Sequence, residues 1–266
     1  MPTLDSYQSR KFTKLLFAGD SGTGKTTALK SLVSSGYTLG ILDYDNGLDS
    51  LVQFILKECP EKISNVTFET FRDKRKASPI GPVVDGQPKA FVDGLKALDK
   101  WPSTNTKPGD WGPEAILVVD NLSSMSDAAF DWADALTPTG KSGFKEPRQI
   151  FYQAQKAIEA VIGLLTSESF RCNVIVIAHI RYQDRSDGVT KGFPNSVGTA
   201  LGPVIPAYFN NFALCESQVS GKEVRRTIRV SSTPMIDLKN SAPFKFSGEP
   251  LPVETGLADF FKRVRS

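Results

Sequence analysis

The sequence is poor in cysteine and histidine and has no long apolar run. Its 266 residues include three cysteines and one histidine. Cys59, Cys172 and Cys215 are odd in number and far apart, which suits a reducing cytosol and excludes a cysteine-based metal motif. No run reaches the roughly 18 apolar residues of a transmembrane helix, so we expect no membrane association. The polar segment 1–14 lacks the apolar core of a signal peptide, and we therefore expect a cytoplasmic protein.

Charge of one sign is also scarce. The formal net charge is +3, which is too small to indicate a polyanionic partner. The positive excess lies near the C-terminus, where residues 222–266 hold nine Lys and Arg against five Asp and Glu. Such a segment is either a solvated surface or a patch that faces phosphates. Hydrophobic residues make up 40% of the chain, which is enough for a sizeable core.

Strand and helix patterns alternate along the chain, which predicts an α/β fold with a mostly parallel sheet between helices. We expect one domain over 1–266, with a core at 12–240, an irregular insertion at 72–113 and a tail at 241–266. Strands are predicted at 14–18, 37–42, 65–71, 115–119, 173–178 and 212–216, with a C-terminal hairpin at 226–231 and 234–238. Helices are predicted at 27–34, 48–57, 89–101 and 147–167.

A glycine-rich loop between the first strand and the first helix is the most informative motif. It fits the spacing G-x-x-x-x-G-K-[ST]. Glycines let the backbone aim several N–H groups at one anion, and the helix adds the positive end of its dipole. The motif predicts a site for ATP, with Lys25 on the β- and γ-phosphates and Thr26 on Mg²⁺. The predicted contacts are Gly19, Asp20, Ser21, Gly22, Thr23, Gly24, Lys25, Thr26 and Thr27.

Carboxylates follow two strands whose carboxyl ends should meet at this loop. Asp120 ends an apolar strand and is placed to hold Mg²⁺ together with Thr26. The next residue is Asn121, where many P-loop ATPases carry the glutamate that activates water, so the catalytic base must come from elsewhere. Asp45 is our candidate, because ligands of open α/β sheets gather at its position. The alternative for Asp45 is a turn residue or a helix cap.

The single histidine, His179, follows the strand at 173–178. It should therefore lie on the ligand side of the sheet, where a polar side chain can contact the γ-phosphate and signal its loss to the next segment. We include it among the catalytic candidates with Lys25, Asp45 and Asp120. A histidine with a purely structural role is the alternative.

Two polar segments without periodicity, 137–148 and 180–198, leave the same end of the predicted sheet. Structureless segments of this length inside a compact domain are usually functional or disordered. Basic loops beside a nucleotide suit a protein that grips a nucleic acid backbone. Ordinary surface loops are the alternative. The candidate DNA-binding residues are Lys141, Lys145, Arg148, Arg181, Arg185 and Lys191.

Four blocks in this order resemble the ATPase core of RecA, and more closely the small core-only RecA relatives of bacteriophages that promote single-strand annealing. The blocks are 19–26, 42–49, 116–121 and 176–181, and the resemblance spans 12–240. It assigns to Asp45 the activation of water, although the family often has Glu there. It assigns to His179 the role of a polar sensor, commonly Gln and often His in the phage relatives. The two basic segments fall where RecA-like proteins place their DNA-binding loops.

The resemblance implies a Mg²⁺-dependent ATPase that binds DNA, single-stranded by preference, and acts in phage-type recombination or single-strand annealing. It also implies a homo-oligomer, a single-strand-binding protein as partner and the cytoplasm of a host bacterium. Two alternatives stay open. A small-molecule P-loop kinase would need an acceptor pocket and an arginine-rich lid. A nucleotide-switched module that does not hydrolyse ATP and loads a partner onto DNA would fit the short side chain of Asp45.

Overall fold

The computed structural model describes residues 11–79, 81–140, 143, 145–184, 188–221 and 223–266. The strands are β1 (Lys14–Gly19), β2 (Thr38–Asp43), β3 (Val66–Thr70), β4 (Arg75–Lys76), β5 (Val83–Val84), β6 (Gly112–Asp120), β7 (Cys172–Ala178), β8 (Ile180–Asp184), β9 (Thr190–Pro194), β10 (Asn211–Ser220), β11 (Glu223–Arg229) and β12 (Leu251–Pro252). The α-helices are α1 (Lys25–Ala28), α2 (Lys30–Ser34), α3 (Asp49–Glu58), α4 (Ala90–Asp99), α5 (Leu122–Leu136), α6 (Pro147–Thr166) and α7 (Gly256–Arg265).

An eight-stranded sheet has the order β12-β11-β10-β1-β7-β6-β2-β3. Strands β10, β1, β7, β6, β2 and β3 are parallel, and β11 and β12 add an antiparallel edge. The register aligns Ala18 with Ala178 and Asp43 with Asp120, so these strands finish at one edge. Parallel strands that end together bring their following residues together, and the predicted site residues follow β1, β2, β6 and β7.

An apolar layer covers each face of the sheet. Alternate residues of β1 point to opposite sides, so Leu16 packs in one layer and Phe17 in the other. Helices α4, α5 and α6 cover the Leu16 side, and α1, α2, α3 and α7 cover the Phe17 side. No α-helix in the described part of the chain is both long and apolar enough to cross a bilayer. The predicted α/β architecture with flanking helices is confirmed.

Most predicted elements are present within a few residues of their expected bounds. The insertion at 72–113 holds the β4–β5 hairpin and α4, whose Phe91 and Leu98 enter the core. Two of the α-helices, α5 and α7, were not predicted from the sequence. In α5 the buried stripe consists largely of serine and alanine, such as Ser126 and Ala129, which give little hydrophobic periodicity.

The C-terminal hairpin was predicted between 226–231 and 234–238, and this pairing is wrong. The hairpin is formed by β10 and β11, and 234–238 is not a strand. Two hydroxyls bind the backbone there instead: Thr233 Oγ1 accepts from Ile236 N at 2.9 Å, and Ser232 Oγ accepts from Leu238 N at 2.8 Å. Side chains that satisfy backbone N–H groups locally compete with a strand ladder.

The lack of periodicity in 180–198 predicted a segment without regular structure, and this prediction is wrong. It contains the antiparallel β8–β9 hairpin, in which Arg181 pairs with Phe193. Gly192 lies where a Cβ would come within 3.0 Å of Ile180 and 2.9 Å of Ile236, so the hairpin packs closely at this glycine. The strands carry polar residues on both faces, which hides the period of two.

Candidate nucleotide-binding site

The phosphate loop turns sharply between β1 and α1. Gly22 and Gly24 have φ angles of 77° and 96°, which only glycine adopts without strain. The hydroxyl of Thr23 donates to the carbonyl of Asp20 at 2.9 Å and closes the turn. A Cβ on Gly19 would overlap the carbonyl oxygen of Cys215 on β10. The glycines are therefore required by both the backbone angles and the neighbouring strand.

Lys25 lies inside this loop with only 7% of its surface exposed. Its Nζ donates to the carbonyl oxygens of Gly19 at 2.9 Å and of Asp20 at 2.8 Å. Burial lowers the pKa of Lys25, while Cys215 and Asp120 act in the opposite direction. The ammonium group is thus held at the loop, where the sequence motif predicted it.

Thr26 and Asp120, the two predicted Mg²⁺ ligands, are in direct contact. Thr26 Oγ1 donates to Asp120 Oδ2 at 2.8 Å. Asp120 is 3% exposed, and burial raises its pKa to about 6; the Thr26 hydrogen bond opposes this shift and Asp43 adds to it. A hydroxyl and a carboxylate are hard oxygen ligands of the kind that Mg²⁺ prefers. A divalent cation would also offset the cost of burying the carboxylate, so the residues present fit the metal.

Asp45 is exposed at the end of β2, and its carboxylate accepts a hydrogen bond from Ser124 Oγ at 3.2 Å. It lies in the bend that follows β2, but its side chain does not cap the next helix. Asp43 Oδ1 accepts from the backbone N–H of Asn46 at 2.7 Å and so holds the turn. The N-cap residue of α3 is Leu48, whose side chain makes no capping hydrogen bond. The helix-cap alternative for Asp45 is therefore wrong, and its role as the catalytic base stays a prediction.

Asn121 and His179 connect the ends of β6 and β7. Asn121 caps α5, since its Oδ1 accepts from Ser124 N at 2.9 Å. Its Nδ2 lies 3.4 Å from His179 Nε2. Burial and the neighbouring Lys25 ammonium lower the pKa of His179. A chain of contacts therefore runs from Asp45 through Ser124 and Asn121 to His179.

A cavity of about 580 Å³ opens over the phosphate loop. It brings together most of the predicted site residues, namely Ser21, Gly22, Gly24, Lys25, Thr26, Thr27, Asp45, Asp120 and His179. Asp20 and Thr23 line a neighbouring cavity of about 430 Å³ on the other side of the loop. The arrangement has room for a nucleotide at the loop, beside the contact between Thr26 and Asp120, the carboxylate of Asp45 and the ring of His179.

The sequence did not identify several residues of this cavity. They are Lys30, Ser50, Phe54, Glu58, Asn121, Arg226, Val253 and Glu254. Arg226 lies on β11, 204 positions from Gly22 of the loop, and Val253 and Glu254 directly follow β12. No local motif marks them, and the misplaced hairpin concealed that β11 reaches the site. Asn121 was noticed only as the residue that replaces a glutamate.

The predicted DNA-binding residues differ in their environments. Arg148 and Arg181 are exposed. Lys145 pairs with Asp134 at 2.9 Å, and Lys191 is 16% exposed at its side chain and pairs with Asp237 at 2.9 Å. Lys141 and Arg185 lie outside the described residues.

Part of the segment 180–198 packs on α6. Gln155 Nε2 on this helix donates to the carbonyl oxygen of Val197 at 3.1 Å. This contact holds the residues that follow β9 against the helix.

Residues 11–242 match the family model AAA_24, described as an AAA domain. No curated protein matches the sequence. A KaiC-like protein from Pyrococcus horikoshii is 14% identical, with a TM-score of 0.43, over 84% of this chain and 80% of that one. The flagellar accessory protein FlaH from Methanocaldococcus jannaschii is 9% identical, with a TM-score of 0.43, over 92% of this chain and 88% of that one. The family match covers most of the sequence, including the phosphate loop, and the protein therefore belongs to this family of AAA-domain proteins.

Proposed function

We propose that the protein hydrolyses ATP with Mg²⁺, binds single-stranded DNA, and acts in phage-type recombination or annealing. One observation carries this proposal. Lys25, Asp45, Asp120 and His179 line one cavity, and the chain runs from His179 directly into the β8–β9 hairpin. The family supports nucleotide binding and hydrolysis. The hairpin offers a route by which the state of the nucleotide reaches a basic surface.

The phosphate loop would bind ATP through its backbone N–H groups and Lys25, which exchanges its present carbonyl partners for phosphate oxygens. Thr26 and Asp120 would hold Mg²⁺. When bound, the metal supplies charge neutralisation along the phosphates. The chain supplies the geometry, because both ligands are already within hydrogen-bond distance of each other.

Asp45 would orient the attacking water. Ser124 Oγ binds one carboxylate oxygen of Asp45, which fixes the orientation of the group and leaves the other oxygen to accept a hydrogen bond from water. The same helix end carries Asn121, which contacts His179. Orientation of water and sensing of the γ-phosphate would therefore depend on one rigid element, the first turn of α5.

His179 would transmit the loss of the γ-phosphate. Its backbone carbonyl accepts from Asn195 N at 2.8 Å, so the histidine is tied to both ends of the hairpin. A displacement of His179 would therefore move β8 at its start and β9 at its end. This is the kind of local change that a nucleotide switch needs.

The hairpin carries side chains suited to single-stranded DNA. Arg181 is exposed, and its neighbour Tyr182 is 46% exposed. Arginine binds the backbone phosphates, and aromatic rings stack on bases without sequence preference. Arg148 lies in the first turn of α6 and would extend the basic track, because Gly198 approaches Phe151 of the same helix.

Phosphate release measured with no DNA, with single-stranded DNA and with duplex DNA tests the proposal. We expect Mg²⁺-dependent release that single-stranded DNA stimulates most. Lys25→Ala is the control and should abolish both nucleotide binding and release. Release that ignores DNA altogether, in a protein that binds ATP normally, would contradict the DNA-coupled function.

A small-molecule kinase is the second candidate, because a second cavity of about 610 Å³ adjoins the first and shares Asp45 with it. Charged side chains, among them Arg75, Asp127 and Asp131, line this cavity. A phosphate acceptor would bind in this second cavity. A kinase would consume ATP only with its acceptor and would not respond to DNA, so the same measurement separates the two functions.

A further inference from the structure

Arg226 lies on β11, and its backbone is fixed from both sides. It pairs with Ser217 of β10, and its carbonyl oxygen accepts from Val253 N at 3.2 Å. Strand alternation puts Arg226 on the same side as Ile228, which is buried in the layer that contains α1, α2 and α7. The side chain is therefore directed to the side of the sheet on which the phosphate loop opens into its helix.

The side chain of Arg226 packs on the phosphate loop. Its Nε donates to the carbonyl oxygen of Gly22 at 3.3 Å. Its Cδ would lie 3.0 Å from a Cβ on Gly24, so the absence of a side chain at Gly24 makes room for the arginine stem. Arg226 is exposed and lines the same cavity as Lys25 and Thr26.

A neighbouring arginine on β11 has a carboxylate partner, unlike Arg226. Arg229, on the same strand, pairs with the carboxylate of Glu216 at 2.8 Å. Arg226 instead contacts a neutral carbonyl at the rim of an anion site. A guanidinium prefers two parallel hydrogen bonds to a phosphate over a single bond to a carbonyl, because the phosphate carries charge and accepts both.

We propose that Arg226 contacts the phosphate chain of the bound nucleotide, so that the antiparallel edge of the sheet supplies a cation to the site from the same polypeptide. The inference rests on the proposed function, since it requires a bound nucleoside triphosphate. On binding, the guanidinium leaves the Gly22 carbonyl for phosphate oxygens while the stem remains against Gly24. Arg226 thereby couples nucleotide binding to the position of β11 and β12.

Arg226→Ala, Arg226→Lys and Arg225→Ala test this proposal. Arg225 is the matched control, because it is exposed on the same strand but alternates to the other face and pairs with Gln218. The affinities for ATP and for inorganic triphosphate are measured for each protein by titration calorimetry. Inorganic triphosphate has no base or sugar, so it reports contacts to phosphate alone.

We expect Arg226→Ala to weaken both ligands about 10- to 100-fold, the range of a charge-assisted hydrogen bond. Arg226→Lys should recover part of the loss, and Arg225→Ala should bind as the wild type does. Thermal unfolding without ligand should be unchanged in all three variants.

Three results would overturn the assignment. Wild-type affinity in Arg226→Ala would show that the arginine makes no important contact. A loss for ATP alone would place it at the base or sugar. A loss that Arg226→Lys does not recover, together with a lower unfolding temperature, would make it a support of the loop. Failure of the wild-type protein to bind ATP at all would instead refute the proposed function.

Discussion

Asn121 Nδ2 lies 3.4 Å from His179 Nε2, and this contact favours the neutral form of the histidine. The amide orientation is fixed, because Asn121 Oδ1 accepts from the backbone N–H of Ser124. The amide nitrogen can only donate, so His179 Nε2 is the acceptor in this contact, which requires a neutral ring. Asn121, the residue after Asp120, thus links the carboxyl ends of β6 and β7.

The folding stability and the ATPase activity of the protein should depend on pH in part through His179. Burial and Lys25 lower its pKa below the ordinary value of 6.5. Since the unfolded chain takes up the proton more readily, this contribution to stability is present at neutral pH and is lost as the pH falls below about 6.5. ATPase activity should fall over the same range, because protonation removes the acceptor for Asn121.

His179→Gln keeps an acceptor at this place but does not titrate. Unfolding temperature and phosphate release, measured from pH 5 to 8 for both proteins, isolate the histidine as the difference between the two curves. Identical curves would show that His179 does not couple to Asn121 in solution.

Mg²⁺ binding should depend on pH through Asp120, whose pKa burial raises to about 6. Below this value a proton competes with the metal, so the Mg²⁺ concentration for half-maximal nucleotide binding should rise about tenfold per pH unit. In the metal-free protein, Asp120 instead favours folding at low pH. The folded state binds the proton more tightly than the unfolded state, so this group's contribution to stability decreases as the pH rises from about 4 to 6.

A titration of Mg²⁺ at fixed nucleotide, repeated from pH 5 to 8, checks the expectation for Asp120. Asp120→Asn removes the titrating carboxylate and should bind Mg²⁺ weakly at every pH. A wild-type affinity that does not change with pH would mean that Asp120 is not a ligand.

Asp45→Asn should retain ATP binding and lose turnover by about 10²- to 10⁴-fold, the range for loss of a positioned acid–base group. The amide is nearly the same size and can still accept from Ser124, so the fold should not change. Phosphate release and ATP affinity are the measurements. The control is Asp43→Asn, which should reduce stability, because Asp43 accepts from Asn46 N and from Thr70 Oγ1. Unchanged turnover in Asp45→Asn would remove Asp45 as the base.

The phosphate loop and its partners could be predicted because their signals are local. Lys25 and Thr26 belong to one short motif, and Asp120 ends an apolar run that must be a central strand. Their contact then follows from topology, since parallel strands end at a common edge. The role of Asp43 could not be predicted, since it depends on which of two nearby carboxylates enters the turn.

The contribution of β11 could not be predicted for a different reason. Arg226 reaches the site only because β10 and β11 form an antiparallel hairpin of a particular register, and a shift by one residue would turn it to the other face. The segment with Thr233 and Ile236 resembles a strand in composition, but hydroxyl groups bind its backbone. Neither effect leaves a periodic pattern in the sequence. DNA binding, the DNA-contacting residues and the closeness to phage annealing proteins stay predictions.

The proposed DNA surface makes an experiment with a matched pair possible. Arg181→Ala should weaken binding to single-stranded DNA and lower the slope of log affinity against log salt by about 1, because one phosphate contact is lost. Arg171 is the control. Its side chain is exposed, as that of Arg181 is. Arg171 immediately precedes β7 and Arg181 follows it, so the two arginines lie at opposite ends of this strand. Fluorescence anisotropy with a labelled oligonucleotide at several salt concentrations gives both quantities. Equal losses in Arg181→Ala and Arg171→Ala would indicate a general effect of charge and contradict a DNA surface at the hairpin, whereas loss in Arg181→Ala alone would support it.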